Sequence, residues 1–169
     1  YPAKFMGVCR VNPEDPAAFT LALKLREALS ADVVFGSDPD CDRVGIAVLD
    51  HEGEVHILSG NQIGCLLLDY ILSQKAERGA LPENAAVVKS FVSTEMARAI
   101  ASAYGATTFE VPTGFKYVAE KIQQFEDTGA HTFVFGFEES YGYLSGTQVR
   151  DKDGVNACLL IAETAAYYK

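Results

Sequence analysis

Three aspartates alternate within one short stretch, GSDPDCDR, and this spacing has a clear chemical meaning. Single residues separate Asp38, Asp40 and Asp42, and Arg43 follows directly. Like charges this close repel one another, so a divalent cation bound between the carboxylates would relieve the repulsion. Carboxylate oxygens are hard ligands, and Mg²⁺ is the cation expected for such ligands beside a phosphate. The spacing therefore favours a cation site in residues 38–43, which we call the aspartate loop.

Three other interpretations of the aspartate loop can be compared with its residues. A calcium EF-hand needs glycine at its sixth position and glutamate at its twelfth, where this chain has Arg43 and Leu49. A phosphatase-type aspartyl nucleophile also follows an apolar strand. The charged Asp42 and the lack of a matching downstream acid cluster argue against it. A polar turn of solvated aspartates remains as the alternative to a metal site.

A second polar cluster follows an apolar run in FGFEESYGYLSG. Glu138, Glu139 and Ser140 lie in a short segment between glycines. Carboxylates beside a hydroxyl suit the recognition of vicinal sugar hydroxyls, each of which offers a donor and an acceptor. The alternative is that these glutamates cap a helix or face solvent.

A third cluster, VRDKDG, carries closely spaced charges of both signs. Arg150 can hold a phosphate by paired hydrogen bonds, and Lys152, between Asp151 and Asp153, can exchange a proton or neutralise charge. The alternative is a solvated charged turn, with Gly154 opening the last helix.

Strand-like and helix-like segments alternate along the chain and must position these clusters. Asp15 and Pro16 predict the start of the first helix, and the turn HEGE predicts a hairpin of Val44–Leu49 with Val55–Leu58. Later strands are predicted in AAVVKSFV, TTFEV and HTFVFGF, and later helices in SGNQIGCLLLDYILSQK, STEMARAIASAYG, TGFKYVAEKIQQF and GVNACLLIAETAAYY. The first of these helices is expected to be capped near Ser59 or Asn61, and the second by Ser93 or Thr94. This order predicts an α/β fold in which a mixed or mostly parallel β-sheet is flanked by helices.

A domain boundary is expected near residues 54–60, where the hairpin ends and a new alternation of helices and strands begins. Roughly 55 residues precede it, which is short for an independent α/β domain. We therefore expect a partial α/β domain with the aspartate loop at 1–56, a second domain at 57–169, and a longer parent chain.

Composition excludes several function classes. Of the 169 residues 49% are hydrophobic, and no apolar run approaches the roughly 18 residues that span a bilayer, so no membrane partner is expected. The net charge of -9 disfavours nonspecific nucleic-acid binding but leaves room for a small anionic substrate. Four scattered cysteines are expected to be reduced thiols of a cytoplasmic protein: Cys9, Cys41, Cys65 and Cys158.

Four motifs together, in order and in spacing, resemble the α-D-phosphohexomutase superfamily, which includes phosphoglucomutase and phosphomannomutase. They are DPDCDR at 38–43, PTGFKY at 112–117, GFEESYGY at 136–143 and VRDKDG at 149–154. The last two look most like the phosphoglucomutase branch that includes phosphopentomutases, since phosphomannomutase-type enzymes carry a shorter, GEMSGH-like loop. The resemblance covers essentially the whole chain.

The resemblance implies a role for each matching residue. It implies Mg²⁺ binding by the three aspartates, with Arg43 near a phosphoserine or the substrate and Lys152 as an acid/base. The implied substrate is a phosphorylated hexose or pentose, with Glu138 and Ser140 contacting the hydroxyls at positions 3 and 4 of a hexose. The resemblance also implies that Thr113, Gly114 and Lys116 border the sugar. Arg150 is expected to bind substrate because it can hold a phosphate. The implied reaction interconverts a sugar 1-phosphate and a 6-phosphate through a phosphoserine and a bisphosphorylated sugar.

Two motifs of the family are absent from this sequence. Family members have four domains, with a nucleophilic serine in a TASHNP-like loop of the first and a phosphate-binding RPSGTEP-like loop in the fourth. Ser93 and Ser145 stand in neither context. The chain is thus expected to be the end of the second domain plus the third, to bind Mg²⁺ weakly, and to lack mutase activity alone. Alternatives are a phosphomannomutase or phosphopentomutase fragment, or a non-catalytic module that binds sugar phosphate or metal.

Overall fold

The first part of the fold is a short helical segment followed by a β-meander, in a computed structural model that describes residues 12–169. Asp15 caps the segment by accepting a hydrogen bond from the Ala17 amide at 2.9 Å, as its position before Pro16 predicted. The 3₁₀ turn Pro16–Phe19 leads into the first α-helix. The elements are α1 (Thr20–Leu29), β1 (Val33–Ser37), β2 (Val44–Leu49) and β3 (Val55–Leu58).

These three strands form an antiparallel sheet in the order β1-β2-β3. The predicted hairpin is confirmed, since Ile46 pairs with Leu58 and Leu49 with Val55. The aspartate loop connects β1 to β2.

The second part alternates helices and strands around a four-stranded sheet. Its order is β5-β4-β6-β7, with β4 parallel to both neighbours and β7 antiparallel to β6, so the predicted mixed sheet flanked by helices is confirmed. The elements are α2 (Gly60–Glu77), β4 (Ala85–Ser90), α3 (Met96–Ala103), β5 (Thr107–Val111), α4 (Phe115–Thr128), β6 (Thr132–Glu138), β7 (Gly142–Ser145) and α5 (Gly154–Tyr168).

Strand β7 was not predicted from the sequence. Its four residues are too few to display alternation, and they follow Tyr141, whose φ of 69° lies in the left-handed region. That conformation reverses the chain so that Glu138 pairs with Gly142. The polar cluster is therefore the tight turn of a hairpin.

Helix starts agree with the sequence in one case and differ in another. Ser59 caps α2 in a capping box with Gln62, as predicted. The next helix, α3, begins at Met96, whereas Ser93 or Thr94 was the expected cap. The Thr94 hydroxyl still accepts a hydrogen bond from the Met96 amide at 3.2 Å.

Apolar layers on both faces of the larger sheet form the core. Strand β4 is buried along its whole length, as expected for a strand covered on both faces. On one face Phe135 and Phe137 pack with α2, and the ring of Phe137 lies so close to Gly64 that a Cβ there would overlap it. On the other face Val118 and Ile122 of α4 pack against the sheet.

The apolar stripe of α1 is only partly used. Ala18 and Ala22 pack around the buried Phe19, but Leu25 and Leu29 are exposed.

Within residues 12–169, every helix is too short or too polar to cross a membrane. Cys41, Cys65 and Cys158 are free thiols. Cys9, also expected to be reduced, lies outside the described residues.

Candidate functional site

The aspartate loop brings its three carboxylates together. One oxygen each from Asp38, Asp40 and Asp42 lies within 4.8 Å of the others. The loop turns because Cys41 has a φ of 60° and donates its amide to the Asp38 carbonyl at 3.1 Å. Asp38 is buried, Asp42 half-buried and Asp40 exposed. Three hard oxygen ligands converge, which is a donor set that suits a divalent cation.

Arg43 holds the buried member of this set in its ionised form. Its Nε donates to Asp38 Oδ2 at 2.7 Å, and its backbone amide donates to Oδ1 at 3.2 Å. Burial raises the pKa of Asp38, but these hydrogen bonds outweigh it and hold the pKa below its usual value. The other end of the guanidinium reaches Glu14 at 3.2 Å. Asp38 therefore stays negatively charged near neutral pH.

The aspartate loop lies directly against the turn of the β6–β7 hairpin. The Val44 amide donates to the Tyr141 carbonyl at 3.0 Å, and Arg43 forms an antiparallel bridge with Gly142. At the start of α5, Gly154 lies so close to the Cys41 carbonyl that a side chain there would overlap it. Backbone contacts thus fix the loop beside residues 138–141, which we call the glutamate loop.

Lys152 extends from the VRDKDG segment to the aspartate loop. Its ammonium lies 3.0 Å from Asp42 Oδ2 and 2.9 Å from Asp151 Oδ1, and 5.4 Å from the centre of the Phe115 ring. Burial lowers the pKa of Lys152, but the two carboxylates more than compensate and raise it above its usual value. Its aliphatic stem covers Gly142, where a Cβ would collide with it. Lys152 therefore presents a protonated ammonium beside the three aspartates.

The glutamate loop is tied to the PTGFKY segment through Glu138. This buried carboxylate accepts a hydrogen bond from the Gly114 amide at 2.6 Å. Gly114 has a φ of 114°, which side-chain-bearing residues rarely adopt. Ser140 follows as a half-buried hydroxyl. Glu138 thus lies against the start of α4.

Glu139, which the sequence analysis placed in the polar cluster without assigning it a sugar contact, binds to the end of β4. Its Oε2 accepts hydrogen bonds from Ser90 at 2.7 Å and Ser93 at 3.3 Å. No local pattern could have paired residues so far apart in the chain.

Lys89 was also missed, although its charge within the apolar run AAVVKS was a visible signal. It is fully buried, and its ammonium contacts Glu95 at 3.0 Å, Glu110 at 2.8 Å and the Ser93 carbonyl at 3.0 Å. Arg98 joins both carboxylates at 3.0 Å each. These four side chains, called the Lys89 network below, contact the Ser90–Ser93 turn through the hydrogen bond from Lys89 to the Ser93 carbonyl.

Some residues implied by the resemblance lie apart from this group. The guanidinium of Arg150 pairs with Glu126 of α4 and donates to the Thr147 carbonyl at 3.1 Å. Lys116 is exposed and lies 4.7 Å from the centre of the Tyr117 ring. Thr113 is exposed beside Gly114.

Solved structures with the same architecture identify the fold. A phosphoglucomutase/phosphomannomutase family protein of Burkholderia thailandensis matches with a TM-score of 0.66 at 20% identity, over 92% of this chain and 31% of that one. N-acetylphosphoglucosamine mutase of Aspergillus fumigatus, solved with GlcNAc-6P and magnesium, matches with a TM-score of 0.61 at 16% identity, over 81% of this chain and 33% of that one. The fold is that of the phosphohexomutases.

Sequence comparison identifies the family. Residues 59–169 match phosphoglucomutase/phosphomannomutase alpha/beta/alpha domain III, and residues 2–53 match domain II. The chain is 41% identical over 165 residues to a phosphoglucomutase of Staphylococcus epidermidis and 40% identical to one of Staphylococcus aureus. It belongs to the phosphoglucomutase/phosphomannomutase family. In both comparisons the match includes 98% of this chain but only 29% of the relative.

Proposed function

We propose that this chain supplies the metal-binding and sugar-binding parts of a Mg²⁺-dependent phosphoglucomutase. The reaction interconverts a sugar 1-phosphate and a sugar 6-phosphate through a phosphoserine and a bisphosphorylated sugar. One observation carries the proposal: the aspartate loop, Lys152 and the glutamate loop form one surface, joined by the Val44–Tyr141 hydrogen bond and the Arg43–Gly142 bridge.

Asp38, Asp40 and Asp42 are the proposed Mg²⁺ ligands. Their oxygens converge within 4.8 Å, and the low pKa of Asp38 keeps the buried ligand charged. A bound Mg²⁺ offsets the negative charge of a transferring phosphoryl group. The magnesium of the Aspergillus relative supports this assignment. We expect the three carboxylates alone to bind the ion weakly, because a phosphoserine would be a further ligand.

The glutamate loop and Lys152 are the proposed groups that act on the sugar phosphate. Glu138 and Ser140 offer an acceptor and a hydroxyl to neighbouring sugar hydroxyls, beside Thr113 and Lys116. The amide of Gly114 orients Glu138. The raised pKa of Lys152 keeps its Nζ positively charged, which attracts phosphate, and the same residue is the proposed acid/base for the reacting hydroxyl. Arg43 lies beside Asp38, where it can contact the phosphoryl group.

The chain alone is expected to lack mutase activity. Its sequence contains neither a serine in a TASHNP-like context nor an RPSGTEP-like loop. Its relatives are also much longer, since it corresponds to 29% of each.

The test compares this chain with the polypeptide encoded by its complete reading frame. Both are primed with glucose 1,6-bisphosphate and Mg²⁺ and supplied with glucose 1-phosphate, mannose 1-phosphate or ribose 1-phosphate. We expect the longer polypeptide to convert glucose 1-phosphate fastest and the 169-residue chain to convert none. Turnover by the short chain would overturn its predicted inactivity, and inactivity of the longer one on all three would overturn the function. Preference for mannose or ribose would support the alternative substrates.

A further inference from the structure

We propose that Glu139 is a positioning residue, which fixes the glutamate loop so that Glu138 and Ser140 can meet the sugar. This inference rests on the proposed function of that loop. Glu139 itself turns toward the protein, where it binds serines of the neighbouring strand.

The first observation concerns Ser90 and Ser93, the two buried serines that bind the Glu139 carboxylate and that we call its anchor. Ser90 and Ser93 are 0% and 4% exposed, and their hydroxyls lie 2.7 Å apart. Both reach the same carboxylate oxygen of Glu139. The Ser93 amide also donates to the Ser90 carbonyl at 3.0 Å, so the two serines form one turn at the end of β4. The carboxylate therefore bonds to a rigid, buried part of the sheet.

The second observation is that the backbone on both sides of Ser140 is also held. The Glu139 carbonyl lies against Gly60 at the start of α2, where a Cβ would overlap it. The Tyr141 carbonyl accepts the Val44 amide at 3.0 Å. Ser140 thus stands between two fixed residues.

Glu138 depends on the same anchor. It ends β6 and directly precedes Glu139, which lies in the turn. Fixing Glu139 to Ser90 therefore also holds the adjoining backbone from which Glu138 reaches the Gly114 amide. Without the anchor, this turn would rely on its backbone contacts alone, and the two sugar-facing groups would lose their fixed spacing.

Steady-state kinetics of the complete polypeptide test the proposal. The variants are Glu139→Ala, Glu139→Gln, the double substitution Ser90→Ala/Ser93→Ala, and the triple variant with Glu139→Ala. Exposed Glu120→Ala on α4 is the control. We expect Glu139→Ala to raise KM for glucose 1-phosphate on the order of tenfold with a smaller change in kcat, because misplaced binding groups weaken substrate recognition. Glu139→Gln should restore most of this loss, since its carbonyl can still accept from a serine.

The serine variants test whether Glu139 acts by binding Ser90 and Ser93 or by contacting the substrate directly. The double variant should raise KM about as much as Glu139→Ala, and the triple variant no further, because all of them remove one interaction. An unchanged KM in Glu139→Ala would overturn the proposal, as would additive effects or a fall in kcat alone that glutamine does not rescue.

Hydrogen exchange in the 169-residue chain distinguishes failure of this inference from failure of the proposed function. Glu139→Ala should speed exchange of the Gly114 amide, which donates to Glu138, at least tenfold, and Glu139→Gln much less. If the complete polypeptide proves inactive, faster exchange would still support the anchor, whereas unchanged exchange would overturn it.

Discussion

The aspartate loop and the glutamate loop lie side by side but are organised in opposite ways. The aspartate loop orients its buried carboxylate from within, since Arg43 binds Asp38 from five positions along the chain and Cys41 closes the turn, while Gly142 and Lys152 contact the loop from outside. The glutamate loop is held by distant segments, since 24 residues separate Glu138 from Gly114 and 49 separate Glu139 from Ser90. One loop carries its own geometry, while the other takes it from the sheet.

This difference predicts where a substitution is felt. A change in the aspartate loop should alter ligand binding with limited effect elsewhere. A change in the glutamate loop should also disturb the end of β4 and the start of α4. The two loops meet through backbone atoms at Val44–Tyr141 and Arg43–Gly142, so side-chain substitutions should leave that junction intact.

The largest expected effect is the loss of metal binding in Asp38→Ala. Removing a neighbour of a metal ligand costs roughly 10- to 100-fold in affinity, so removing the buried ligand should cost more than about 100-fold. Arg43→Ala, which removes only the group that orients Asp38, should fall within the smaller range. Paramagnetic broadening by Mn²⁺, used as a probe ion, measures both. Asp32→Ala is the control, because this exposed aspartate pairs with Lys169.

The structural effect of Asp38→Ala should be confined to the aspartate loop. Amide shifts in Asp38→Ala should change near the aspartate loop and leave Ser90 and Gly114 unaffected. Metal affinity equal to that of the unchanged chain would show that the three aspartates are only a polar turn.

The next largest effect is on the free energy of unfolding, when alanine replaces the glycine that packs against each loop. Gly154→Ala would press on the Cys41 carbonyl and Gly60→Ala on the Glu139 carbonyl. Each should lower the free energy of unfolding by about 1–3 kcal/mol, since a backbone group must move to admit the methyl. Urea unfolding measures the loss, and amide shifts should move in the aspartate loop for the first variant and in the glutamate loop for the second.

Gly79→Ala is the comparator for this pair. Gly79 has a φ of 64° and open space around it, so alanine there costs only backbone strain, about 1 kcal/mol. Its amide shifts should change in neither loop. If Gly154→Ala or Gly60→Ala changes amide shifts in both loops, the two loops are structurally coupled.

A smaller effect concerns Arg150, for which the sequence and the contacts suggest different partners. If its role is to hold residues 146–151 against α4, then Arg150→Ala and Glu126→Ala should have equal effects, and their combination should add nothing. A half-exposed ion pair of this kind contributes about 0.2–1 kcal/mol to the free energy of unfolding. A rise in KM for sugar phosphate in Arg150→Ala alone would instead identify it as a phosphate ligand.

Sequence patterns predicted the features that depend on nearby residues. The alternation of elements, the β2–β3 hairpin and the Ser59 cap all follow from local spacing, and the structure has them. The pairing of Ser90 with Glu139 and of Arg150 with Glu126 could not be predicted, because it depends on which segments the sheet brings together. Strand β7 escaped for a related reason: its four residues become a strand only by pairing with β6.

The smallest predicted effect is a pH dependence of stability that comes from the Lys89 network. Hydrogen bonds from Lys89 and Arg98 lower the pKa of Glu95 from 4.5 to about 2 in the folded state. A lowered folded-state pKa stabilises the protein above the unfolded-state value, and this contribution is lost as the pH falls through about 2. The difference in urea midpoint between the unchanged chain and Glu95→Gln should therefore be constant above about pH 5 and shrink between pH 4.5 and 2.

Because Lys89 also binds the Ser93 carbonyl, the same variant should speed amide exchange in the glutamate loop and not in the aspartate loop. If Glu95→Gln speeds amide exchange equally in both loops, the Lys89 network also stabilises the aspartate loop. The two loops would then not differ in how they are held.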